Sequence, residues 1–160
     1  MSAIVSQLQI KDPRVKVFLV EAGPAYRAAG ETEFEATISY DLVDVHIDKD
    51  EQDNVDYYFC TMKMQILCNA KSSDGVQKYH LHYESECDFR QKAEGVENES
   101  FEKLAERSGI TTLVATARAN IRGATALIGF TEPYTLPMID VNALIEARAS
   151  KPKDTEQAKE

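Results

Sequence analysis

The sequence is short of positive charge. Eighteen Lys and Arg residues stand against 27 Asp and Glu, a formal net charge of −9. A protein that grips phosphates needs surplus Lys and Arg along one face, so general nucleic-acid binding is disfavoured. Anionic membrane surfaces are disfavoured on the same electrostatic ground. Long apolar runs are also missing: none approaches the ~18–20 residues that span a bilayer, so no membrane insertion is expected. The opening Met1-Ser2-Ala3-Ile4-Val5 lacks the basic start and apolar stretch of a signal peptide, so a cytoplasmic location is expected. Cysteine is sparse. Cys60, Cys68 and Cys87 are odd in number and form no CxxC pair, which argues against a disulfide framework. P-loop, GxGxxG and GxSxG motifs are absent, and no cofactor is expected.

What is present is ordinary globular material. With 43% hydrophobic and 28% charged residues in 160, the chain suits one domain with a real core. That domain is expected over residues 1–149. The tail, 150–160, has no large apolar residue and reads as disordered. The acidity is concentrated in the middle. Residues 21–106 hold 20 acids against 8 bases, whereas residues 108–160 balance at six of each.

Hydrophobic periodicity predicts strands in the first half and helices in the second. Residues 15–20 (VKVFLV) are β-branched and aromatic, a strand starting near Gln7 and interrupted at Asp12-Pro13. A Gly- and Pro-bracketed loop follows over 22–30. Then Phe34, Ala36, Ile38, Tyr40 and Leu42 alternate with Glu33, Glu35, Thr37, Ser39 and Asp41, which puts one set on a core and the other in water. The acid-rich stretch 48–56 is an exposed connection. Residues 57–70 form a third strand, with Tyr58, Cys60, Met62, Met64, Ile66 and Cys68 on one face. After the turn signal Ser72-Ser73-Asp74-Gly75, residues 77–89 return with Tyr79, Leu81, Tyr83, Cys87 and Phe89 inward. His80, His82, Glu84, Glu86 and Asp88 face out.

Beyond Ser100, read as an N-cap, the period changes. A short helix to Ser108 is expected to stop at Gly109. An amphipathic helix over 110–128 follows, with Ile110, Leu113, Val114, Ala117, Ile121, Ala124 and Ile128 at spacings of three and four. Gly129 can end it, and Pro133 and Pro137 forbid helix through the apolar stretch 130–139. Asp140 caps a last helix over 141–149. The fold class predicted is therefore α+β: a four-stranded antiparallel sheet followed by helices packed on one of its faces.

Few constellations carry chemistry. His80 and His82, ~6.6–7 Å apart on one strand face, could share a metal, but a solvated polar face explains them more simply and no third ligand has zinc-site spacing. The cysteines lie in core register without a His beside them, which fits packing better than nucleophilic catalysis. Arg118 and Arg122 share one helix face and suit a polar face or an intrachain ion pair. The strongest candidate is the proline-punctuated loop with Phe130, Tyr134, Leu136, Met138 and Ile139. That much apolar area in a loop either packs down or forms a binding patch.

One resemblance bears on this loop. Ala117-Arg118-Ala119-Asn120-Ile121, then Gly129-Phe130 and Leu136-Pro137-Met138-Ile139-Asp140-Val141-Asn142-Ala143-Leu144-Ile145, resembles the SecB-type export chaperones. Those carry an "AR..I" helix turn, a glycine and a "P..L.P.NF..L" stretch leading into a final helix. The resemblance implies an ATP-independent, non-enzymatic holdase for unfolded, export-bound polypeptides, working as a homotetramer built as a dimer of dimers. It implies client contact along hydrophobic grooves, carried over here to Pro24 and Tyr26 in the first loop and to Phe130, Tyr134, Leu136, Met138 and Ile139 in the second. It also implies an acidic sheet face that docks the export motor ATPase, for which Glu33, Glu35, Asp41, Glu84, Glu86 and Asp88 are the candidates. Acidic surroundings would favour clients with positive charge. The chain departs from the family at Ala115-Thr116, where an aromatic and a proline are usual, and in its mixed-charge tail. A chaperone dedicated to a toxin–antitoxin pair, or a small-ligand or enzyme domain using the sheet–helix crevice, therefore stays open as an alternative.

Overall fold

In the computed structural model, residues 8–11, 13–51, 54–128 and 133–149 are described. The expected tail, 150–160, and Phe130 lie outside them. Five strands come first: β1 (Gln9–Ile10), β2 (Arg14–Ala22), β3 (Thr32–Lys49), β4 (Asp56–Ser72) and β5 (Gln77–Lys92). Two helices follow, α1 (Asn98–Leu127) and α2 (Val141–Ala149). All pairings are antiparallel. β1 and β2 share one lane against β5, on either side of the Asp12-Pro13 interruption, so the five strands fill the four lanes expected.

The lane order is not that of consecutive hairpins. The lane of β1 and β2 lies beside β5, with β4 and then β3 beyond it. The chain must therefore carry residues 23–31 from one edge of the sheet to the other. Three lane spacings of about 4.8 Å make that span roughly 14 Å, within reach of nine residues.

Alternation sorts the two faces as predicted. Met62, Met64, Ile66, Cys68 and Ala70 of β4 and Leu81, Tyr83, Cys87 and Phe89 of β5 are buried, along with Ser85 in the same register. Phe34, Ala36, Ile38, Tyr40 and Leu42 of β3 pair with Ala70, Cys68, Ile66, Met64 and Met62 and so share that face. A bulge at Asp44-Val45, with Asp44 at φ 55°, then shifts the register so that Ile47 pairs with Tyr58. The ladder continues to Lys49–Asp56, which leaves a shorter connection than the acidic run suggested.

The helical half differs from expectation in its division, its start and its last turn. The two helices anticipated on either side of Gly109 are a single helix of 30 residues, starting after Glu97 rather than at a Ser100 cap. Gly109 is a contact residue, not a stop: a Cβ there would lie 3.0 Å from the Met62 side chain. Its missing side chain lets α1 approach β4. Phe101, Ala105, Ile110, Leu113, Val114, Ala117, Ile121 and Thr125 are buried on the same stripe. Ile128, expected on that stripe, is exposed. The shorter α2 leans on the core through half-buried Val141, Leu144 and Ile145. Asp140 caps it, its Oδ1 accepting the N–H groups of Asn142 and Ala143 at 3.0 and 3.1 Å.

Candidate functional site

The crossing segment is held down by its first residues. Gly23 donates to the Lys78 carbonyl at 2.8 Å and Ala25 to that of Gln77 at 3.1 Å. A Cβ on Gly23 would meet the Gln77 carbonyl oxygen at 2.3 Å, so only glycine allows this approach. A turn over 24–27 leaves Pro24 exposed and Tyr26 half-buried. At the far end the Lys78 ammonium donates to the Gly30 carbonyl at 3.1 Å and the Thr32 hydroxyl at 2.7 Å.

The segment between the helices is clamped to α1. Tyr134 N–H donates to Thr125 Oγ1 at 3.0 Å, and that hydroxyl in turn donates to the Ile121 carbonyl at 2.8 Å. Arg118 donates from Nε to the Leu136 carbonyl at 3.0 Å and from its terminal nitrogen to the Pro137 carbonyl at 2.7 Å. Arg118 thus has a third role, distinct from a polar face or an ion pair: it satisfies loop carbonyls. Tyr134 and Leu136 are buried, Leu136 only 1% exposed; Ile139 is half-buried, and Met138 stands 87% exposed.

Between the two segments lies a cleft of about 330 Å³, lined by Tyr26, Gly30, Thr32, Phe34, Lys78, Tyr79, Pro133 and Tyr134 among others. Three of its four aromatic residues, Phe34, Tyr79 and Tyr134, pack ring against ring. Phe34 lies 4.9 Å from Tyr134 between centroids, and Tyr134 lies 5.8 Å from Tyr79. Phe34 occupies the inward register yet is 52% exposed, a large apolar surface left open beside the cleft. Burial pushes the Tyr79 and Tyr134 hydroxyls well above the usual range, so both stay neutral. The Tyr134 hydroxyl, beside the Cys68 thiol, has no oxygen or nitrogen partner among the described residues. Of the residues expected to meet clients, Tyr26 and Tyr134 come together here. Pro24, Leu136, Met138 and Ile139 do not line the cleft. Phe34, Lys78 and Tyr79 do; their pattern marks them only as core or strand residues, because nothing local reveals where the crossing segment passes.

The helix-free face of the sheet is a hydrogen-bonded mosaic. Arg14 pairs with Glu86 at 3.0 Å and with Asp88 at 2.7 Å, and Lys16 reaches Glu86 at 3.2 Å. Arg14 holds the Asp88 carboxyl below its usual range, helped by Thr61. Partial burial opposes ionisation of Glu86, but Lys16 and Arg14 outweigh it and lower its pKa. Glu84 is likewise lowered, by Gln65 and by His82 at 2.8 Å. Asp41 is engaged by Arg148 at 2.6 Å. Glu33 and Glu35 are exposed and make no ion pair among the described residues. His80 Nδ1 lies 2.8 Å from Asn69 Oδ1. Among the described residues no group of three or more His, Cys, Asp or Glu could hold a metal. Nor is any helix long and apolar enough to cross a membrane. All three cysteines are free and buried, and burial pushes the thiols of Cys60 and Cys87 up to about 12.

The lane order and the helices that follow define a SecB-like α+β fold. A SecB-like chaperone of Mycobacterium tuberculosis, in complex with a ChAD peptide from the HigA1 antitoxin, has a similar structure. The similarity has a TM-score of 0.62 over 83% of this chain and 91% of that one, at 15% identity. A protein of unknown function from Streptococcus agalactiae matches over 82% of this chain and 97% of its own at 12% identity, with a TM-score of 0.42. No family model and no curated protein matches the sequence.

Proposed function

We propose that the chain is an ATP-independent chaperone, a holdase that shields apolar segments of unfolded polypeptides in the cleft beside Phe34. The observation that carries this reading is the half-exposed Phe34 among the rings of Tyr79 and Tyr134, between two clamped segments. A client side chain entering there gains about 25 cal/mol per Å² of apolar area buried, without sequence-specific contacts. Tyr26 and Tyr134 serve as cleft walls. Exposed Met138 extends the apolar surface, its flexible thioether suited to varied partners. Buried Leu136 and half-buried Ile139 hold the segment in place, and Pro24 sets the first turn; Phe130, outside the described residues, stays a candidate client contact from the resemblance alone. The SecB-like fold supports the reading, and the antitoxin peptide held by the mycobacterial protein makes an antitoxin a second candidate class of client.

The chain works in the cytoplasm as a homo-oligomer under this proposal, the tetramer being the form that the resemblance implies. Exposed Val15 and Phe18 on the edge strand β2 suit a subunit contact. For an acidic partner site such as one docking the export motor ATPase, Glu33 and Glu35 are the best placed, because Glu84, Glu86, Asp88 and Asp41 already have partners within the chain. The test is aggregation of a chemically unfolded client without nucleotide. A few-fold molar excess of the chain suppresses light scattering if the reading is right; unchanged scattering overturns it.

A further inference from the structure

Among the described residues that line the cleft there is one charge, and its sign runs against that of the whole chain. Nine more acids than bases occur in the sequence, yet among the described residues none that lines the cleft is acidic and the one charged is Lys78. Lys78 is 6% exposed. Its ammonium lies among the lining residues Gly30 and Thr32, donating to one neutral oxygen of each. An ammonium has three N–H groups, and Lys78 makes no ion pair among the described residues. The acid that feels its charge, Asp74, is bonded instead to the Ser72 hydroxyl and the turn backbone. A buried cation with only neutral acceptors favours an anion entering the same space. A second cation stands at the rim: the Arg27 guanidinium lies 5.0 Å from the ring centroid of Tyr26, itself a lining residue.

We propose that the cleft selects client segments in which an acidic side chain neighbours an aromatic or large apolar one. The ring or aliphatic chain packs on Phe34, Tyr79 and Tyr134 while the carboxylate pairs with Lys78. An extended segment advances about 3.3 Å per residue, so adjacent or next-but-one positions place the two groups together. The acidic chain as a whole still draws basic clients at long range; this pairing acts after contact. The inference rests on the cleft being the client site and adds its chemical preference.

The test uses blocked heptapeptides with Glu-Phe-Leu or Gln-Phe-Leu at the centre, each carrying a fluorophore, titrated with the full chain at low salt and read by anisotropy. The Glu peptide binds about fivefold tighter, the worth of a partly desolvated, hydrogen-bonded ion pair. In Lys78→Gln the ratio of the two affinities falls towards one. Equal binding of both peptides to the unaltered chain overturns the preference but leaves the cleft reading standing, whereas binding of neither overturns both. A ratio that survives Lys78→Gln also overturns the preference. So does a Gln-Phe-Leu peptide with a free terminal carboxylate that outbinds the Glu peptide, since recognition then belongs to chain ends. Should Lys78→Gln fail to fold, the peptide pair on the unaltered chain decides alone.

Discussion

Arg118 on α1 donates to the Leu136 carbonyl at 3.0 Å, and so a helix residue anchors, eighteen positions away in sequence, the segment whose Pro133 and Tyr134 line the cleft. The same side chain satisfies Pro137 at 2.7 Å. Without it, two carbonyls of an apolar segment would have to find water at the edge of the core.

Removal of that clamp is expected to loosen the wall before it unfolds the domain. Hydrogen bonds to charged donors contribute about 1.5–3 kcal/mol, so Arg118→Ala should lower stability by about 1–3 kcal/mol. It should also speed amide exchange across 133–139 more than in the strands. Unchanged exchange in that segment would show that the clamp is dispensable.

Gly109 presents two opposed effects whose sizes differ. Alanine is the better helix former by about 1 kcal/mol, which argues for stabilisation by Gly109→Ala. The new Cβ would meet Met62 side-chain atoms at 3.0 Å, and overpacking typically costs about 1–3 kcal/mol. Thermal unfolding should therefore show a net loss of about 1 kcal/mol, reversed when Met62→Ala makes room. A gain in the single variant would contradict the packing seen here.

Acid sensitivity follows from the helix-free face. Asp88, Glu86 and Glu84 have pKa values depressed by folding, the first through Arg14. Their contribution is present above the unfolded carboxylate values near 4 and is lost as pH falls through the folded ones. Melting temperature should decline below about pH 5, and Arg14→Met should flatten the decline. The same acid slope in Arg14→Met would assign it to other groups.

Much of the fold was legible because period-two patterning is a local record of which face is buried. Phe34 to Leu42, Tyr58 to Cys68 and Tyr79 to Phe89 each declare their inner face residue by residue, and the antiparallel registers agree. Asp140 announced its helix for the same reason: a cap acts within three residues. Long-range choices were not legible. Nothing in residues 14–22 says that they pair with β5 rather than β3. A glycine that ends a helix and one that lets a helix touch a strand look alike in sequence, so the contact of Gly109 with Met62 shows only in the fold. The cleft was legible by half. Tyr26 and Tyr134 followed from the resemblance, but Phe34 and Lys78 gain their places only where the crossing segment and the α1 clamp bring three distant stretches together.

The most direct measurement compares unfolded-client binding by the unaltered chain, by Phe34→Ser with Tyr26→Ser, and by Leu19→Ser on the opposite sheet face as a control. Phe34, Tyr26 and Leu19 are all partly open to solvent, so each variant should keep its fold, checked by circular dichroism. The account predicts at least tenfold weaker binding in the Phe34/Tyr26 variant, about 1.4 kcal/mol or more from lost apolar burial, and little change in the control. Undiminished binding by a folded Phe34/Tyr26 variant would contradict the cleft as the client site.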